Sequence, residues 1–111
     1  MATLQKLEKI IDDAIASELI EITPEWWMSI KLEITCAARD SGSGRVLQHE
    51  INSPEGFPDK VPLTEELAIQ SSKLAELFAR FNSPWTSVIY IVSQCRDGTW
   101  DYQVDFCYPQ K

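Results

Sequence analysis

Chemistry in this sequence would have to start from His49, because it is the chain's one histidine and serine or cysteine nucleophiles usually need such a base. His49 sits beside Leu47 and Ile51 in a short strand pattern, which suits a structural or edge histidine. A small enzyme built on it and nearby carboxylates is the alternative. Asp101 and Asp105 project from one face of a strand with Gln103 between them. At ~3.4 Å per residue their backbones are roughly 13 Å apart, too far for a shared-proton dyad and long for a glycosidase pair. That spacing suits a binding stripe better than acid–base work. Cys36, Cys95 and Cys107 make no CxxC pair, are odd in number and lie in apolar stretches. They read as reduced structural thiols of a cytoplasm, not as a disulfide scaffold or zinc site. GxGxxG, Walker and HExxH patterns are absent. Neither catalysis nor a metal or cofactor is expected.

The charge points to a partner instead. Ten Lys and Arg against 17 Asp and Glu give net −7 and a pI near 4.6. Phosphate backbones and anionic lipid repel such a surface, so nucleic acid and membrane are unfavourable partners and a basic protein is a favoured one. Residues 1–25 hold Lys6 and Lys9 against Glu8, Asp12, Asp13, Glu18, Glu21 and Glu25, a net −4 of the −7. No apolar h-region precedes Ile10, and no apolar run approaches ~18 residues, so neither signal peptide nor membrane span is predicted. At 111 residues, 44% hydrophobic and 24% charged, a single domain spanning 1–111 is expected.

The elements that must position these groups can be read from periodicity. Leu4, Leu7, Ile11, Ala14, Ile15 and Ile22 recur at helical spacing, with Lys6, Lys9 and Asp13 facing away. Glu18 interrupts that stripe, so the helix is expected to end near residues 17–19, or else Glu18 lies at the core margin; Thr23-Pro24 breaks it in any case. A long strand is predicted over 26–37, with Trp26, Met28, Ile30, Leu32, Ile34 and Cys36 inward and Trp27, Ser29, Lys31, Glu33 and Thr35 outward. Ser41-Gly42-Ser43-Gly44 is read as a turn into an antiparallel strand over 45–51. Residues 52–62 form a loop that could hide a strand near Phe57.

Thr64 is the expected N-cap of a second helix, whose Leu67, Ser71, Leu74, Leu77, Phe78 and Phe81 line one side. Asn82-Ser83-Pro84 ends it. Residues 85–94 are apolar on both faces and read as a central strand. Asp97-Gly98 suggests a type I′ turn into an alternating strand over 99–108, ended by Pro109. The expected fold is α+β: an antiparallel sheet of four to five strands, with two α-helices on one face and the order α-β-β-(β)-α-β-β.

With those elements in place, the chain resembles the YezG-like immunity (antitoxin) proteins of bacterial polymorphic toxin systems, some of which guard against contact-dependent growth inhibition toxins. The resemblance covers nearly the whole chain. It rests on the N-terminal amphipathic helix, Pro24-Glu25-Trp26 before a long strand, the helix ending in Phe81-Asn82 and the Trp85-Thr86 strand start. The closing hairpin, with Asp97-Gly98 and Asp105-Phe106-Cys107-Tyr108, completes it. The segment 39–62 is shorter and poorer in aromatics than the family's. The resemblance implies a non-enzymatic cytoplasmic inhibitor of a cognate secreted toxin's C-terminal domain, commonly a nuclease.

The candidate interface is then the outer sheet face and the edge of the first helix: Trp27, Glu33, Asp101, Gln103 and Asp105, with Asp12 and Asp13 secondary. An outward Trp27 beside carboxylates would be an anchor; packing under the following loop is its alternative. A monomer in a 1:1 complex with the toxin domain is expected rather than a homodimer. A small acidic secretion chaperone, dimeric and holding an extended client segment, is the rival reading.

Overall fold

The computed structural model of the protein describes residues 3–38 and 45–108. Its elements run α1 (Leu4–Ile22), β1 (Ser29–Ala38), β2 (Arg45–Asn52), α2 (Glu65–Arg80), β3 (Ser87–Gln94) and β4 (Trp100–Cys107). The strands form one antiparallel sheet in the order β2-β1-β3-β4, with both helices on one side of it. This is the α+β fold expected. The loop at 53–63 carries no strand, so the sheet has four. The Ser41-Gly42-Ser43-Gly44 turn and Pro109 lie outside the described residues.

Both helices start on threonine caps. Thr3 Oγ1 accepts from Lys6 N–H at 3.2 Å, and Thr64 Oγ1 accepts from Leu67 N–H at 3.2 Å. α1 does not stop at 17–19: it continues to Ile22, where Thr23 Oγ1 donates to Leu19 O at 2.5 Å. Glu18 is half-buried. Apolar packing by Ile15 before the marginal carboxylate and by Leu19 and Ile22 after it carries the helix through. At the end of α2, Asn82 takes a positive φ of 57° and Ser83 N–H returns to Phe78 O at 2.9 Å.

The core is built from strict alternation. Ile30, Leu32 and Ile34 on β1 and Val88, Tyr90 and Val92 on β3 face the helices, against Ile15 and Leu19 of α1 and Leu67, Leu74 and Phe78 of α2. β3 lies between β1 and β4, and its second apolar set, Ile89 and Ile91, is half-buried on the helix-free face. The β3–β4 hairpin differs from a type I′ turn. Only Gly98 takes a positive φ, 87°, and Asp97 does not. Gly98 N–H bonds Cys95 O at 3.0 Å and Cys95 N–H bonds Thr99 O at 2.6 Å, a three-residue loop with its left-handed residue last.

α1 is held to the sheet by two phenol–carboxylate bonds. Tyr90 Oη donates to Asp12 Oδ1 at 2.6 Å, and Tyr102 Oη donates to Asp13 Oδ1 at 2.6 Å. Asp12 is only 5% exposed. It is a buried acceptor and not the surface residue expected, because its position on α1 turns it toward β3. Glu8, one turn earlier, also hydrogen-bonds Asp12, and its carboxyl is raised to about 7, by burial first and then by the Asp12 bond and charge. Burial and the Asp12 bond likewise push the Tyr90 phenol far up. The Tyr102 bond lowers Asp13, with Lys9 at 3.4 Å adding to the effect.

Two measurements check this seat. Asp12→Ala strands the buried Tyr90 hydroxyl and should cost about 1–3 kcal/mol in urea unfolding, with Asp12→Asn costing less. Glu8 titrates near 7 when folded and near 4.5 otherwise, so the folded state holds an extra proton between those values and stability declines as pH rises across them. His49, lowered by burial, acts in the opposite sense up to pH 6.5. The difference between Glu8→Gln and the parent therefore isolates Glu8: the variant should gain relative stability from pH 4.5 to 7 and stay level above it. A constant difference across that range would contradict the assignment.

Candidate functional site: the helix-free sheet face

The alternation that buries one face of the sheet fixes the other. Pairing across the strands places Glu50, Glu33, Ile89 and Asp105 in one row, and Asn52, Lys31, Ile91 and Gln103 in the next. Ser93 and Asp101 follow on β3 and β4. With strands ~4.8 Å apart, the first row carries three carboxylates over about 14 Å, with Ile89 set among them. Four carboxylates and one ammonium are the charged groups of this face among the described residues. Lys31 forms no ion pair with any of them there; the ion pairs of the described residues are Lys9–Asp13 and Glu76–Arg80 on the helices.

Glu33 and Glu50 are directly paired across β1 and β2. Like charges at such positions repel and cost stability, and the contact made by Glu50 is one hydrogen bond, from Asn52 Nδ2 at 3.0 Å. Ile89 and Ile91 are half-buried on central β3 beside the half-buried Glu33 and Lys31 of β1, and the exposed carboxylates Glu50, Asp101 and Asp105 stand on the two edge strands. That is the layout of a protein-binding patch. Glu33, Asp101, Gln103 and Asp105 are therefore brought to one face as expected. Glu50 was missed by sequence reasoning, because its pairing depends on hairpin register; counting outward from the 38/45 pair would have found it.

Three expected contributors are elsewhere. Trp27 is 1% exposed, whereas Trp26 is 58% exposed. Trp27 N–H bonds Pro24 O at 3.0 Å, closing a turn at 24–27, and β1 begins only at Ser29; the strand parity never reaches the tryptophans. Trp27 instead packs under the loop, its ring 6.4 Å from Phe57 at 9°. That loop is clasped by carboxylates. Asp59 Oδ2 accepts from both Trp26 Nε1 (3.0 Å) and Trp27 Nε1 (3.3 Å), while Glu55 accepts from Met28 N–H (3.0 Å) and Ser29 Oγ (2.5 Å). These bonds hold both carboxyls below their usual range, the Trp26 bond leading at Asp59 and the Ser29 bond at Glu55. Asp12 and Asp13 lie on the helix side, bonded to tyrosines, and do not join the open face.

His49 points to the helix side. Its Nε2 lies 2.7 Å from Ser71 Oγ, and that hydroxyl also reaches Ala68 O at 3.1 Å. Ser71 has no exposed surface, and the pair clasps β2 to α2. The cysteines are dispersed: Cys36 half-buried on the helix side, Cys107 exposed on the open face, Cys95 exposed at the turn. No group of three His, Cys, Asp or Glu side chains converges as a metal site among the described residues. No helix among them is long and apolar enough to cross a membrane.

Neutralising one member of the repelling pair should help the fold. Glu50→Gln is expected to raise stability by about 0.2–1 kcal/mol at low salt, a gain that shrinks at high ionic strength. Unchanged or lower stability would show that the two carboxylates do not feel each other. Comparison with protein-family models and with curated proteins finds no match for this chain.

Proposed function

We propose that the protein is an immunity protein: a non-catalytic inhibitor that binds the basic toxic domain of a cognate secreted protein, a nuclease by preference, through the helix-free face of its sheet. The observation that carries the reading is the unneutralised row Glu50, Glu33 and Asp105 around Ile89. A nuclease keeps a positive surface for phosphate, and a rigid row of carboxylates presents complementary charge. Binding would also relieve the Glu33–Glu50 repulsion, so part of the attraction comes from strain already present in the free protein. The resemblance to YezG-like immunity proteins supports the class of function, and the net charge of −7 supports the sign of the partner.

The test is genetic and then kinetic. A toxin domain encoded beside this gene should kill a host unless this protein is co-expressed. Charge reversal of Glu33 with Asp105 should slow association at least tenfold at low salt and flatten its salt dependence, leaving the fold intact. Lack of rescue by the parent protein would overturn the function, and unchanged association of the reversed variant would overturn the face. A stable dimer that holds an unfolded client would mark a secretion chaperone instead.

A further inference from the structure

On the helix side, a groove of about 790 Å³ runs between α2 and the outer strand β2. Its α2 wall is Ala68, Ser72, Ala75 and Ala79, spaced by four, three and four, so that no side chain longer than serine reaches out from that stripe. Leu47 and His49 line it from β2.

β2 is also an unpaired edge. Cys36 N–H donates to Thr86 O at 2.8 Å and Gln94 N–H donates to Met28 O at 2.8 Å, so the even-numbered residues of β1 turn their main-chain groups toward β3 and the odd-numbered ones toward β2. Register then commits the main chain of Val46, Gln48 and Glu50 to β1. Leu47, His49 and Ile51 direct their N–H and C=O groups outward, with no backbone partner among the described residues. Leu47 and His49 thus offer main-chain bonds at the edge and side chains to the groove.

Two further features describe the occupant. Trp85 lines the groove and is 2% exposed, and its Nε1–H finds no acceptor among the described residues; buried donors are nearly always satisfied. Glu65, in the first turn of α2 and three residues before Ala68, puts negative charge at one end of the groove, and no cationic side chain lines it.

We propose that this groove receives an extended segment of a partner protein as a fifth strand on β2. The segment carries small apolar residues at alternate positions and lysine or arginine at the end beside Glu65. Its main chain bonds Leu47, His49 and Ile51, its alternate side chains lie against the small residues of α2, and its basic end meets Glu65. Strand addition of this kind takes affinity from the main chain and selectivity from alternate pockets. The groove and the acidic face lie on opposite sides of the sheet, so this site stands or falls independently of the open-face reading.

The probe is the peptide acetyl-KVTVSVK-amide, titrated into the full-length ¹⁵N-labelled protein. Saturable binding below about 1 mM is expected, with the largest amide shifts at Leu47, His49 and Ile51 and movement of the Trp85 indole proton. N-methylation of alternate peptide residues should weaken binding at least tenfold, as should filling the groove with Ala75→Leu or, at its exposed rim, Ala79→Leu. Charge reversal at Glu33 and Asp105 should leave the peptide shifts in place. The proposal is overturned by any of four results: no saturation, shifts confined to β4 or the open face, equal binding of the N-methylated peptide, or the same shifts arising from self-association without peptide.

Discussion

Everything distinctive about this molecule follows from the two-residue period of its strands under helices that cover one side only. Each Ile, Leu, Val or Tyr that turns inward on β1 and β3 commits its neighbours to the opposite face. A one-residue slip would bury Glu33 and Asp105 and expose the core, so the register is as strongly specified as the hydrophobic packing. The acidic face is the obligatory reverse of the core, and its geometry is held to the rigidity of the sheet.

Where the acid lies matters more than how much there is. Composition concentrates negative charge in the first 25 residues, yet the structure engages half of those six acids in holding α1: Asp12 seats it through Tyr90, Asp13 is taken by Tyr102 and Lys9, and Glu8 hydrogen-bonds Asp12. Those carboxylates stabilise the helix's docking. A second group of acids without ion pairs lies on the strands, where β1, β2 and β4 bring together residues as far apart in sequence as Glu33 and Asp105. The loop acids Glu55 and Asp59 are likewise occupied, binding the segment around the paired tryptophans.

The fold was largely legible because its signals are local. Thr3 and Thr64 announce helix starts, Asn82 marks a stop, and the inward sets of β1 and β4 are clean alternations. Two of the differences share a cause, a local pattern extended past the point where backbone geometry changes. Continuing strand parity through the turn that begins at Pro24 puts Trp27 outward, and Asp97-Gly98 alone implies a type I′ turn although the left-handed residue falls third. Asp12 shows a different limit: a carboxylate one position from the apolar stripe is indistinguishable from a surface acid until its tyrosine partner, 78 residues on, is placed beside it. Four members of the candidate site, Glu33, Asp101, Gln103 and Asp105, are legible from parity; Glu50 needs the register.

The central claim is that the helix-free face, with Ile89 and Ile91 on central β3 and exposed carboxylates on the edge strands, is where a basic partner docks. Isoleucine methyl resonances report on it directly, since Ile89 and Ile91 lie on that face while Ile10 is exposed on α1. On adding the toxin domain, the account predicts that the Ile89 and Ile91 methyls shift or broaden while Ile10 does not change. Perturbation of Ile10 with Ile89 and Ile91 unmoved would contradict it.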